Sequence, residues 1–225
     1  LAQEKRAYHL ADAEELERVT ESSHHEGVCL LIQELPVFTP ESWLAGLKPG
    51  KPVCVLALDG VSNPHNLGAI MRVAAHFGVG AILTENALAL RTGSAMRTAE
   101  GGATHVMVMG TDNLVKTLNL LKKNDFTVLA TSSHESASLY EAALPERLVL
   151  VLGEEQEGVS ARVLQVAHGR IAIGGTGWVE SLNVSVAAGV LLSEFWRQHR
   201  VRAPRALRSE TVDAEPAPAE RPRPD

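Results

Sequence analysis

The sequence predicts an α/β fold: a mostly parallel β-sheet with helices on both faces, preceded by a fragment of a small α/β domain. Three observations carry this reading. From Val53 onward, short and largely apolar runs recur: VCVLALD, AILT, HVMVMG, FTVLAT, LVLVLG and RIAIG. Strands without polar alternation are buried on both faces. Segments with apolar residues at helical spacing separate these runs, such as NLGAIMRVAAHFG and NLVKTLNLLKKND, and regular alternation of the two is the pattern of a parallel sheet. Glycine or a polar residue closes several of the strands, where an α/β sheet places its ligand loops.

Each element follows in order. Residues 1–36 read as a small α/β piece, with a helix in DAEELERVT and a strand in GVCLLIQEL, too short to fold alone. Residues 37–51 read as a linker, because TPESWLAGLKPGKP carries Pro40, Pro49 and Pro52 with Gly46 and Gly50. Residues 52–200 form the main domain. VCVLALD is its first strand, followed by a helix that Gly78 closes and the strand AILT. A short helix in SAMRTAEGG, the strand HVMVMG and the helix NLVKTLNLLKKND come next. After FTVLAT and LVLVLG, SARVLQVAH is a helix, RIAIG a strand, and Asn183 to Arg197 the last helix. Residues 201–225, ending EPAPAERPRPD, hold too little apolar surface to order themselves and read as a disordered tail. There is no initiator Met, so the sequence is expected to be a fragment of a longer chain.

Composition narrows the functional classes. The 225 residues are 45% hydrophobic and 21% charged, as in an ordinary globular domain. No apolar run reaches the ~20 residues of a membrane span, and the charged start, LAQEKRAYHL, lacks a signal-peptide core. Cys29 and Cys54 are too few for a disulfide framework, which fits a reducing, cytoplasmic setting. The net charge of −6 weighs against a broadly basic nucleic-acid footprint. Arg197, His199, Arg200, Arg202, Arg205 and Arg208 form a local basic stripe, read either as a phosphate-binding surface or as a solvated helix end. His24, His25 and Glu26 lack the spacing of helix-borne metal ligands and read as surface residues, so no metal is expected.

Three strand-end loops carry the candidate chemistry. In LDGVSNPHNLGAIMR, Asn66 is placed to cap the following helix, and Arg72 follows among residues expected to be buried. A half-buried arginine needs an anion: an internal partner such as Glu155, or a phosphate. In LVLVLGEEQEGVS, Gly153 stands where backbone can touch a ligand, with Glu154, Glu155 and Glu157 beyond it. In IAIGGTGWVESLN, Gly174, Gly175 and Gly177 form an open loop that matches neither a P-loop nor GxGxxG. A nucleotide-binding oxidoreductase is disfavoured on that ground. Glu180, Ser181 and Asn183 crowd the start of an apolar helix, where capping explains them cheaply.

Taken together and in order, these loops resemble the SpoU/TrmH family of RNA ribose 2′-O-methyltransferases, within the SPOUT superfamily. NPHNLGAIMR is similar to its first motif, LVLGEEQEGVS to its second and VESLNVSVAAG to its third; RTAEGGATHV resembles an intervening segment. HLADAEELERVTESSHHEGVCLLIQ resembles the end of a small RNA-binding domain that many members carry, so residues 1–36 would be its C-terminal remnant. The resemblance implies a C-terminal trefoil knot that binds S-adenosylmethionine, a homodimer, and tRNA or rRNA, rather than DNA or membrane, as partner.

Residue roles follow from the same resemblance. Arg72, Asn66, Glu155, Ser181 and Asn183 match the catalytic positions. Thr131, Gly153, Ile173 and Leu182 match the cofactor contacts. Many members continue Ile-Pro-Met after the last strand, where this chain has Ile173, Gly174 and Gly175. Arg72 is expected to bind a neighbouring phosphate and stabilise charge on the 2′-oxygen, with Glu155 orienting it. The alternative is a catalytically silent RNA-binding protein of the same fold. Neither the choice between tRNA and rRNA, nor the nucleotide, nor the general base is legible in the sequence.

Overall fold

The computed structural model describes residues 8–23, 25, 27–29, 35–132 and 136–199. Most of the GVCLLIQEL strand and the whole 201–225 tail lie outside them. So do His24, Glu26 and the stripe arginines from Arg200 on. The chain divides into two compact units, Leu1–Leu35 and Pro36–Asp225. The first contains α1 (Ala13–Thr20), whose N-cap Asp12 accepts from the Glu15 N–H at 2.8 Å. Among the described residues no helix is long and apolar enough to cross a membrane.

The second unit begins earlier than composition implied. The stretch expected to be a linker supplies β1 (Val37–Phe38) and α2 (Pro40–Ala45). Thr39 caps α2, and Pro40 occupies its first turn, where a missing N–H costs nothing. Pro40 thus starts a helix instead of breaking one. Trp43 is buried against Phe126, with ring centroids 5.9 Å apart, and its indole N–H donates to the Gly80 carbonyl at 3.2 Å.

The sheet holds the further strands β2 (Val53–Asp59), β3 (Ala81–Thr84), β4 (Val108–Gly110), β5 (Thr127–Thr131), β6 (Ala137–Ser138), β7 (Arg147–Gly153) and β8 (Gly169–Ala172). Its order is β1-β4-β3-β2-β7-β5-β8-β6, and every pairing is parallel. In β2 successive side chains point to opposite faces. Val55 and Ala57 join Trp43, Leu118 and Phe126 in one core. That face is covered by α2, α5 (Leu114–Lys123) and α6 (Ala161–Leu164). The opposite face carries α3 (Pro64–Phe77), α4 (Gly93–Thr98) and α7 (Val184–His199). Leu67, Ile70 and Met71 of α3 are buried there, as are Leu191, Leu192 and Phe195 of α7.

Two features of this topology position the site. The chain leaves β2 toward β3 and leaves β7 toward β8, on opposite sides of the adjacent β2–β7 pair. Such divergence opens a crevice beyond the carboxyl ends of the two strands. The register pairs Asp59 with Gly153, so both loops start level. The far end of α7 is fastened separately. Buried Glu194 accepts from Arg197 at 2.6 and 2.7 Å and from Gln198 at 2.7 Å, and these bonds hold its carboxyl down at about 2. Gln198 also donates to the Ala142 carbonyl and accepts from the Leu144 N–H. Two members of the expected basic stripe, Arg197 and His199, therefore have partners within the fold, Glu194 and the Leu144 carbonyl.

Candidate active site

Helix α3 is capped three residues earlier than expected. Asn63, not Asn66, is the N-cap; its Oδ1 accepts from the His65 N–H at 2.9 Å, and Pro64 opens the helix. The NPHN string offers two asparagines, and the one before proline wins because proline prefers the first helical position. Asn66 is thereby released for a longer-range role. Its Nδ2 donates to Glu155 Oε1 at 3.0 Å, and Asn183 Nδ2 donates to the same oxygen at 2.8 Å. Asn183 Nδ2 also reaches Asn66 Oδ1 at 3.0 Å. Asn183 Oδ1 accepts from the Ser185 N–H at 3.0 Å and the Ser185 hydroxyl at 2.6 Å, so it caps α7 as well. One residue from each strand-end loop meets in this cluster, which borders a cleft of about 200 Å³ lined also by Ser62, Glu154 and Val184.

Arg72 stands apart. It lies six residues past Asn66, about 9 Å further along the helix axis at ~1.5 Å per residue. Its side chain is 57% exposed, not half-buried, and its Nη1 pairs with Glu100 Oε1 at 2.8 Å rather than with Glu155. Glu155 organises amides instead of the arginine. Ser181 and Leu182 sit on the exposed approach to α7, and the 174–183 loop is exposed throughout, with Trp178 almost fully so.

Three of the four expected cofactor residues lie at one end of the sheet, and Leu182 on the approach to α7. β7, β5 and β8 are adjacent and parallel, so Gly153, Thr131 and Ile173 lie at or just past the same carboxyl ends. The Thr131 hydroxyl donates to the Val151 carbonyl at 3.0 Å. Gly153 has a local reason to be glycine: a Cβ there would collide with the backbone of Gly158 and Val159. Its own loop folds back on it, with the Gly158 N–H donating to the Glu154 carbonyl at 2.8 Å. Gly153→Ala is expected to cost about 1–3 kcal/mol by overpacking against backbone and to displace Glu155; an unchanged Tm would contradict it.

Sequence reasoning passed over Asp59. This carboxylate is buried at the end of β2, and its Oδ2 accepts from the Ser160 N–H at 2.7 Å. Arg162 stands 3.8 Å from its other oxygen and 2.9 Å from Glu85. The loop after β7 is thus tied at two points, to α3 and Asn183 through Glu155 and to the end of β2 through Ser160. An acidic residue closing an otherwise apolar strand was the available signal.

Comparison with known proteins places the chain in a family. The profile of the SpoU rRNA methylase family matches residues 53–193, which span all three loops. The chain belongs to the SpoU rRNA methylase family. Among SpoU relatives, an uncharacterized tRNA/rRNA methyltransferase, YfiF, of Escherichia coli O157:H7 is 44% identical over 200 residues, covering 89% of this chain and 57% of that protein. A 23S rRNA (guanosine-2′-O-)-methyltransferase, RlmB, of Nitrosomonas europaea is 34% identical, covering 86% and 74%. An AdoMet-bound rRNA methyltransferase from Sinorhizobium meliloti shares the fold, with a TM-score of 0.65 at 22% identity, covering 83% of this chain and 70% of that one. The chain spans just over half the length of the E. coli SpoU relative.

Proposed function

We propose that this SpoU member transfers a methyl group from S-adenosylmethionine to a ribose 2′-hydroxyl of tRNA or rRNA. The single observation that supports it best is the Asn66–Glu155–Asn183 cluster. Three loops from distant parts of the chain are held together at the switch point by two amides sharing one carboxylate oxygen. The relative from N. europaea is named for 2′-O chemistry.

The residues present fit the cofactor. Beyond β8 the loop backbone is exposed, and added Cβ atoms at Gly174 and Gly175 would meet nothing within 4 Å. Ile173, Leu182, Gly153 and Thr131 would hold it, in the SPOUT arrangement of a C-terminal knot. When bound, S-adenosylmethionine supplies an electrophilic methyl carbon on a sulfonium, whose departure leaves a neutral thioether. The chain's residues do the rest. Asn66, Ser181 and Asn183 orient the ribose, and orientation is what in-line transfer requires. Arg72 binds a neighbouring phosphate and stabilises negative charge growing on the 2′-oxygen. An arginine guanidinium does not act as a base in proteins, so the hydroxyl proton passes to water. Glu155 keeps the amides in register.

A second copy of the chain covers the apolar side of α7, where Tyr140, Val186, Gly189 and Val190 line a groove of about 350 Å³ and Trp196 is partly exposed. The protein works in the cytoplasm, where Cys29 and buried Cys54 remain free thiols. Calorimetric titration with S-adenosylmethionine, on a sample whose mass is read by light scattering, is expected to give one site per protomer on a dimer. Absence of binding supports the silent RNA-binding alternative, and a monomer mass removes the second copy.

A further inference from the structure

We infer that Glu100 is a positioning residue for Arg72; this rests on the role proposed for Arg72 above. The ion pair, 2.8 Å from Arg72 Nη1 to Glu100 Oε1, joins two side chains that are both more than half exposed. Exposed pairs add little to stability, so holding the fold together does not explain the contact. The backbone around it does point to a built arrangement. Glu100 adopts φ +45°, a left-handed conformation that is uncommon for a residue with a Cβ. Gly101 follows at φ +82°, and Gly102 packs so closely that a Cβ would sit 2.9 Å from Arg72 Cα and 3.3 Å from Arg72 N. The turn after α4 is thus pressed against the backbone of Arg72 while its carboxylate takes hold of the same residue's side chain. A strained residue at such a position marks a constraint that the surrounding structure imposes.

The chemistry fits. A long arginine loses rotamer freedom when it binds. Anchoring one nitrogen removes part of that loss before charge develops on the 2′-oxygen, so the gain falls on the transition state rather than on RNA binding. The guanidinium carries five N–H donors in a planar fork. Glu100 engages Nη1, and the remaining edge of the fork is left to face a phosphate and the reacting oxygen. RTAEGGATHV, between the first and second motifs, thereby acquires a role alongside the three loops.

The test uses Glu100→Gln, which keeps size and backbone, and Glu100→Gly, which relaxes the left-handed φ. Both remove the anchoring charge. With tritiated S-adenosylmethionine and RNA from a strain lacking this protein, both variants are expected to lose kcat on the order of ten-fold. That is short of the ~100-fold a 1 Å misplacement can cost. KM for RNA and Kd for S-adenosylmethionine should stay within about two-fold, and Glu100→Gly should melt no lower than the parent. Independently of turnover, Arg72 side-chain N–H exchange, followed by 15N NMR, should be slower in the parent than in Glu100→Gln. Unchanged kcat or equal exchange overturns the inference, as does tighter RNA binding with a steeper salt dependence, which makes Glu100 a competitor of the phosphate. Arg72→Ala is assayed in parallel. If it is inactive while Glu100→Gln is normal, only the inference fails; if it turns over normally, the role of Arg72 fails first.

Discussion

Arg72→Ala is expected to lose methyl transfer by on the order of 100- to 1000-fold, the usual cost of removing one donor aimed at developing oxyanion charge, while S-adenosylmethionine binding is retained. The reason is positional. Arg72 sits about 9 Å along α3 from Asn66 by helical rise, on the helix that leaves β2 toward β3, whereas β5 and β8, whose ends carry Thr131 and Ile173, lie on the other side of the β2–β7 pair in the strand order. Its ion pair is exposed, so truncation should leave the fold intact, and Tm should move by little. Arg72→Lys is a sharper companion, because lysine keeps the charge but loses the planar fork. Turnover of Arg72→Ala at the parental rate would remove the arginine from the mechanism. Loss of cofactor affinity in step with activity would make it a binding residue instead.

Asn183→Asp is expected to be comparably damaging, and it separates two roles that share one side chain. As a cap, aspartate serves as well as asparagine, so the Ser185 bonds at the start of α7 survive and Tm should hold. As a member of the cluster it fails. Nδ2 donates to Glu155 Oε1 at 2.8 Å and to Asn66 Oδ1 at 3.0 Å; the replacement has no such donor and sets a second carboxylate against Glu155. Two like charges 4 Å apart repel by about 1 kcal/mol in water and about 4 kcal/mol at an effective dielectric of ~20. The third loop should swing away from the first two. Methyl transfer is expected to fall on the order of 100-fold, with weaker cofactor binding. Full activity in this variant would mean that Asn183 only caps its helix.

Much of this was legible before the structure. The alternation of apolar strands and periodic helices from Val53 to Arg197 announced a parallel sheet, and the polar residues at three strand ends marked where chemistry would gather. Misreadings came from residues with two local uses. In sequence Pro40 reads as part of a linker, but it opens α2; Asn66 reads as a cap, but Asn63 adjoins the proline and takes that place. Arg72 was expected to be half-buried because its chain neighbours are apolar, yet it points to solvent and Glu100.

What the sequence determined by itself was local: which segments are strands or helices, which loops are unusual, and which family those loops resemble. A residue's own period and its near neighbours encode these things. What only the tertiary structure decided was pairing. Glu155 meets an asparagine 89 positions before it and another 28 after it, and the two asparagines are 117 apart. Asp59 holds a backbone N–H 101 residues away. No periodicity carries such information, because hydrogen bonds of this length in sequence exist only once the sheet has set β2 beside β7 and brought their ends level.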